Sequence, residues 1–134
     1  MNISRRRFLR TIPALALLLG GAPAQGEARE TIINRFSVAG FQYYQGQTVL
    51  PWMRPGETLR LIPEPGNPHD RYAVEIYRGG TKLGYVPRSD NRHISRLLRD
   101  GVGLVCRVED VGAGESPWNA VRVTVSLLQG GPPC

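Results

Sequence analysis

Thr58-Leu59-Arg60-Leu61-Ile62-Pro63, then Glu64-Pro65-Gly66-Asn67-Pro68-His69-Asp70, then Ala73-Val74-Glu75-Ile76-Tyr77 follow one another in mid-chain. In the first run Leu59 and Leu61 alternate with Arg60 and Ile62, the period of a strand. The second contains Pro65, Gly66 and Pro68 and cannot be regular structure. The third is a short run rich in β-formers, and it reads as another strand. Gly79-Gly80 then supplies a hairpin turn into a strand over Lys82 to Val86. Strand, irregular loop, strand, tight turn, strand is the grammar of a small mainly-β domain.

Working outward, Ile32 to Tyr44 reads as a first strand, with Phe36, Val38 and Gly40 on one face. Tyr43 and Tyr44 are neighbours on it, so one of them faces the core. Leu50 to Gly56 is a loop or short helical turn, with Pro55-Gly56 suited to a tight bend. One α-helix is expected after Arg88. Ser89 is placed to cap it, Asp90 lies in its first turn, and Ile94, Leu97 and Leu98 share a face. Arg96 and Arg99 complement the dipole at its end, and Gly101 stops it. Leu104 to Val111 and Ala120 to Leu127 complete six strands, joined by Gly112 to Trp118. Six short strands and one helix in about 100 residues suggest a small, partly open β-barrel, with a sandwich as the second choice.

The chain has 134 residues, 41% of them hydrophobic, with 16 Gly and 11 Pro. That is enough for one packed domain and too little for a kinase, a helicase motor or a doubly wound enzyme. The formal charge is +6, but Arg5, Arg6, Arg7 and Arg10 lie in the first ten positions and every acid lies beyond position 25. The rest of the chain carries a formal +2, so bulk charge argues only weakly for a polyanionic partner. Arg5-Arg6-Arg7, the apolar run Ile12 to Leu19, and Ala22-Pro23-Ala24 follow the order of a secretory signal with a cleavage site after Ala24. Ser4, Arg5, Arg6, Phe8 and Leu9 match the twin-arginine export pattern, with Arg10 in place of its Lys. The expectation is therefore an exported, periplasmic chain: signal peptide 1–24, linker 25–33, domain 34–128 and a Gly/Pro tail 129–134. The apolar run is shorter than a membrane span.

Cys106 alternates with Leu104 and Val108 and should point into the core as a small hydrophobe. A disulfide with Cys134 is permitted in an oxidising compartment, if the tail folds back. The two histidines, His69 and His93, have no ligand spacing around them, so no zinc site and no cofactor are expected. Asp90, His93 and Ser95 are explained by a helix start, and no nucleophile–base pair stands out.

Val38-Ala39-Gly40-Phe41-Gln42-Tyr43-Tyr44, Leu61 to Val74 and Leu83-Gly84-Tyr85-Val86-Pro87-Arg88 together resemble a HIRAN domain, over roughly residues 34 to 127. Pro117-Trp118 ahead of the last strand is similar to bacterial members. The resemblance implies a barrel related to the oligonucleotide-binding fold and a non-enzymatic module that captures the 3′-hydroxyl end of single-stranded DNA. It further implies that Tyr43 stacks on the terminal base and that Asp70 accepts a hydrogen bond from the 3′-hydroxyl. His69 stands where the family has a second stacking tyrosine, and Arg88 where it has a phosphate-contacting lysine. Gln42 replaces an arginine that would touch phosphate.

Each residue also has a plainer reading. Asp70 can cap backbone N–H groups of its turn, His69 can be an exposed loop residue, and Arg88 a solvated charge. Trp52 and Trp118 can be core or loop anchors. Export favours the alternative of a periplasmic module that binds a protein, glycan or small molecule on the same face.

Overall fold

The computed structural model describes residues 29–112, 116 and 119–129. The export segment 1–24, Pro117-Trp118 and Cys134 lie outside the described residues. So do the expectations attached to them, including the disulfide.

Alternation of apolar and polar side chains builds six strands: β1 (Arg29–Ser37), β2 (Thr58–Pro63), β3 (Val74–Arg78), β4 (Thr81–Tyr85), β5 (Leu104–Val111) and β6 (Val121–Gln129). They form one antiparallel sheet in the order β1-β6-β5-β2-β3-β4, and the sheet does not close. Its register places Leu61 opposite Ile76, Leu59 opposite Cys106, and Cys106 opposite Val125. Inward-facing side chains of all six strands meet in one core, including Phe36, Leu59, Ile76, Leu83, Cys106 and Val123. Burial pushes the Cys106 thiol up to about 12, so it behaves as an inert apolar group.

One contact takes the sheet part of the way to a barrel. The segment that leaves edge strand β1 pairs with edge strand β4 through Ala39 and Tyr85. Each donates its N–H to the other's carbonyl, at 2.8 and 2.9 Å. Gly84 makes this approach possible. A Cβ there would collide with the Ala39 carbonyl and the Val38 side chain, and its φ is +154°.

Three expectations need correction. The first strand ends at Ser37 instead of reaching Tyr44, because Gly40 takes a left-handed φ of 73° and turns the chain into a 3-10 helix, Phe41–Tyr43. Gly40 is thus a turn, not a third member of the Phe36–Val38 face. Second, the single helix is accompanied by a short one, α1 (Gly46–Val49), whereas the 3-10 turn at Leu50–Trp52 is the short helical turn expected there. Gly46 lets the ring of Phe41 pack against the α1 backbone, since a Cβ would overlap it. Third, the long helix α2 (Arg88–Arg99) begins one residue before Ser89, which therefore does not cap it. Pro87 is the N-cap, and the Ser89 hydroxyl donates to the Asp90 carboxylate at 2.9 Å. The far end is as expected: Gly101, φ 80°, reverses the chain, and the N–H groups of Gly101 and Val102 bond to the carbonyls of Leu98 and Leu97.

Candidate functional site

Two irregular segments and the start of α2 converge at the Ala39–Tyr85 pairing. The first is the 3-10 turn after Gly40. Phe41 is fully buried and anchors it, while Tyr43 is 77% exposed and Tyr44 lies at the surface edge. Neither tyrosine enters the core: Tyr43 lies off the side of the 3-10 turn that Phe41 buries, and Tyr44 is the extended residue at which the chain leaves the turn. The Tyr44 ring packs against Tyr85 with centroids 6.0 Å apart. The Lys82 ammonium lies over both rings, 4.4 Å from Tyr44 and 4.3 Å from Tyr85. It also pairs with Glu75 at 3.0 Å. Burial works against the Lys82 charge, but hydrogen bonds to Tyr85 and Glu75 outweigh it, and its pKa is raised.

The second segment is the loop between β2 and β3. The Asn67 side-chain carbonyl accepts the N–H groups of His69 and Asp70, at 2.8 and 3.1 Å. Its amide donates to Glu64, which also accepts the Tyr85 hydroxyl at 2.9 Å. Two prolines and a glycine leave this loop without a regular ladder, so these side-chain bonds add to a few backbone ones, such as those from the Asn67 and Ala73 N–H groups to the Glu64 and Asp70 carbonyls.

Asp70 is the centre of the arrangement. Its Oδ1 accepts the N–H of Tyr72 at 2.9 Å, and its Oδ2 accepts the Asn91 amide at 2.8 Å. The Arg88 Nε stands 3.6 Å from Oδ2, and the same guanidinium donates to the His69 carbonyl at 3.3 Å. The N–H of Tyr72, followed by the Asn91 amide and the charge of Arg88, holds the carboxyl below its usual range against the cost of burial. Asp70 therefore caps its turn and is charged at neutral pH.

These parts enclose a cleft of about 360 Å³, lined among others by Tyr43, Tyr44, His69, Asp70, Arg88 and Asn91. Four of the five site residues expected from the sequence meet in it. Gln42 is exposed and is not among its lining residues. Trp52 is 64% exposed, so it is not a core anchor. His93 is exposed and its ring meets the Asn34 side chain at 2.7 Å, while the Ser95 hydroxyl accepts from Arg99. Tyr44, Tyr85 and Asn91 also line the cleft, and sequence reasoning missed them. Asn91 was legible only as a polar residue one turn from Ile94 and Ser95 on the inner face of α2.

Chemically, the cleft offers an exposed aromatic rim, a charged acceptor with lone pairs to spare, and one guanidinium. Among the described residues, no group of three His, Cys, Asp or Glu could hold a metal ion. No helix of the described residues is long and apolar enough to cross a membrane.

Among solved structures, a crystal structure of a protein from Lactobacillus plantarum superposes with a TM-score of 0.66 and 22% identity. The match covers 77% of this chain and 99% of that one. The crystal structure of the HIRAN domain of human HLTF gives a TM-score of 0.60 and 18% identity, covering 78% and 82%. Identities this low speak for the fold. No curated protein matches the chain. Residues 34–127, most of the described chain, match the HIRAN domain, and with the sheet order and the two structural likenesses this means that the chain belongs to the HIRAN domain family.

Proposed function

We propose that the chain is a non-enzymatic nucleic-acid-binding module whose cleft captures the 3′-hydroxyl end of single-stranded DNA. Family membership supports the nucleic-acid part. The observation that carries the finer part is the Asp70 carboxylate, fixed by Tyr72 and Asn91 within a cleft rimmed by an exposed tyrosine.

A terminal hydroxyl donates to that carboxylate, while a terminal phosphate meets a like charge. Tyr43 stacks on the last base, a contribution of about 1–3 kcal/mol that tolerates any base. Arg88 presents a fork to the last phosphodiester, with His69 beside it. Gln42 contributes no charge, so affinity rests on stacking and on Arg88 more than on a second cation.

The test is fluorescence anisotropy with the full chain and short single strands ending in 3′-hydroxyl or 3′-phosphate. Tighter binding of the hydroxyl end supports the reading. Equal binding of both ends removes Asp70 from recognition, and no binding of either turns the search to a protein, glycan or small molecule on the same face. Export by the twin-arginine route, cleavage after Ala24 and a periplasmic location remain part of the proposal. It rests on Ser4, Arg5, Arg6, Phe8 and Leu9 of the sequence. Replacing Arg5 and Arg6 by Lys should retain the protein in the cytoplasm, and unchanged periplasmic recovery would sink the route.

A further inference from the structure

One turn further along the chain the electrostatics change. Tyr72, whose N–H is held by Asp70, turns its ring to the outer face of α2. Four guanidinium groups gather over that ring: Arg71 at 5.1 Å, Arg92 at 5.2 Å, and Arg96 and Arg99 at 5.6 Å from its centroid. The phenol oxygen accepts from Arg71 and Arg96, at 3.3 and 3.4 Å. Arg99 also reaches the Arg71 carbonyl and the Ser95 hydroxyl, which ties the turn to the helix. Among the described residues no carboxylate pairs with any of the four, whereas Arg35, Arg78, Arg107 and Arg122 each have one.

Four exposed like charges gathered on one aromatic ring repel one another and gain little from one another. Hydrogen bonds from Arg96 and Arg71, with the charges of Arg71 and Arg92, bring the Tyr72 hydroxyl down to about 8, the mark of uncompensated positive potential. Such a surface attracts anions.

We propose that the Tyr72–arginine face is a second binding surface, which takes the phosphodiester backbone of the same single strand whose end lies in the cleft. This deepens the preceding reading and rests on it for the identity of the strand. Continuity carries the assignment. Asp70 and Tyr72 belong to one turn, and Asn91 of the cleft is followed directly by Arg92. From Arg92 to Arg99 α2 rises about 10 Å at 1.5 Å per residue. At about 3.4 Å per nucleotide, the spacing of a fully stacked strand, that length serves at most about three phosphates. Guanidinium forks held over a ring lose less freedom on meeting phosphate than free side chains do.

The experiment uses the full chain, 5′-fluorescein oligothymidylates with a free 3′-hydroxyl, a trimer and a dodecamer, and a series of salt concentrations. The variant is Arg92→Gln with Arg96→Gln, two side chains that make no bond to the backbone of the turn, and its unfolding midpoint should equal that of the wild type. The dodecamer should bind the wild type at least about tenfold tighter than the trimer, and the variant should lose that advantage. Its salt slope should fall by about 1.4, at about 0.7 per phosphate contact on a single strand. Trimer binding should stay unchanged. A dodecamer that binds the variant with unaltered affinity and slope overturns the proposal. So does a wild type that ignores the dodecamer, and phosphatidylglycerol vesicles that then bind it but not the variant would reassign the face to lipid. If the arginine variant loses the dodecamer while neither protein distinguishes 3′-hydroxyl from 3′-phosphate, end capture in the cleft fails and the phosphate contact of this face stands without it.

Discussion

The two sides of the turn from Asp70 to Tyr72 treat charge in opposite ways. On the cleft side each charge is held by a neighbour: Lys82 by Glu75 and Tyr85, Asp70 by Asn91 and the Tyr72 N–H, and Arg88 by Asp70. On the outer side four guanidinium groups share one phenol and, among the described residues, no carboxylate. Paired charges fix positions, and a shape can be recognised by them. Unpaired charges leave their field outside the protein, where it attracts but does not discriminate. The contrast teaches that one short turn can divide a surface into a part that reads an end and a part that holds a chain.

The strongest way to break the contrast is to spoil the frame under the cleft. Gly84→Ala puts a Cβ against the Ala39 carbonyl and keeps a positive φ that L-residues avoid. Strain and overpacking of about 1–3 kcal/mol each should lower the urea midpoint markedly and abolish end binding. Next in size is a paired charge against an unpaired one. Lys82→Met leaves Glu75, whose side chain is 12% exposed, without its cation. We expect a loss of about 2 kcal/mol, whereas Arg92→Gln should change stability by less than about 0.5 kcal/mol. Equal effects on thermal unfolding would dissolve the distinction.

Asp70→Asn is a finer probe. An asparagine can turn its carbonyl to the Tyr72 N–H or to the Asn91 amide, not to both, at a cost of about 1 kcal/mol. The native carboxyl is held below its usual range. Its stabilisation is therefore present above the unfolded-state value of about 3.9 and lost as pH falls through the lower folded-state value. The gap in urea midpoint between wild type and variant should narrow below about pH 4, and a gap that stays constant would show that charge is not what Asp70 supplies. The smallest effect is spectroscopic. Tyr72 should ionise near pH 8, followed by its ultraviolet absorbance, and Arg96→Gln should move it back toward 10. A titration unaltered by that change would remove Arg96 from the cluster.

Much of the frame was legible because local signals agreed. Thr58–Pro63 and Leu104–Val111 were read with the bounds they have, since alternation ran up to a Pro or Gly at each end. Phe41, Tyr43 and Tyr44 misled because aromatic residues suit strands, while the left-handed Gly40 that ends the strand leaves no periodic trace. The loop with Asn67, His69 and Asp70 was conspicuous for its composition. The partnership of Asp70 with Asn91 was not, because it joins a loop to a helix whose rotation no local pattern specifies. The same holds for Tyr72. Arg96 and Arg99 look like ordinary partners of a helix dipole until the 70–72 turn is laid across them.

The pairing of Ala39 with Tyr85 has a consequence in time as well as in shape. Two backbone hydrogen bonds between segments far apart in sequence join the edges of an otherwise open sheet. Parting them costs far less than unfolding the strands on either side, so the amides of Ala39 and Tyr85 should exchange with deuterium sooner than those of Val123 or Cys106. Tyr85 lies both in this seam and in the wall of the cleft. Each brief parting of the seam therefore loosens the cleft, and an occupant that needs the closed wall slows the exchange of those two amides in proportion to how tightly it is held.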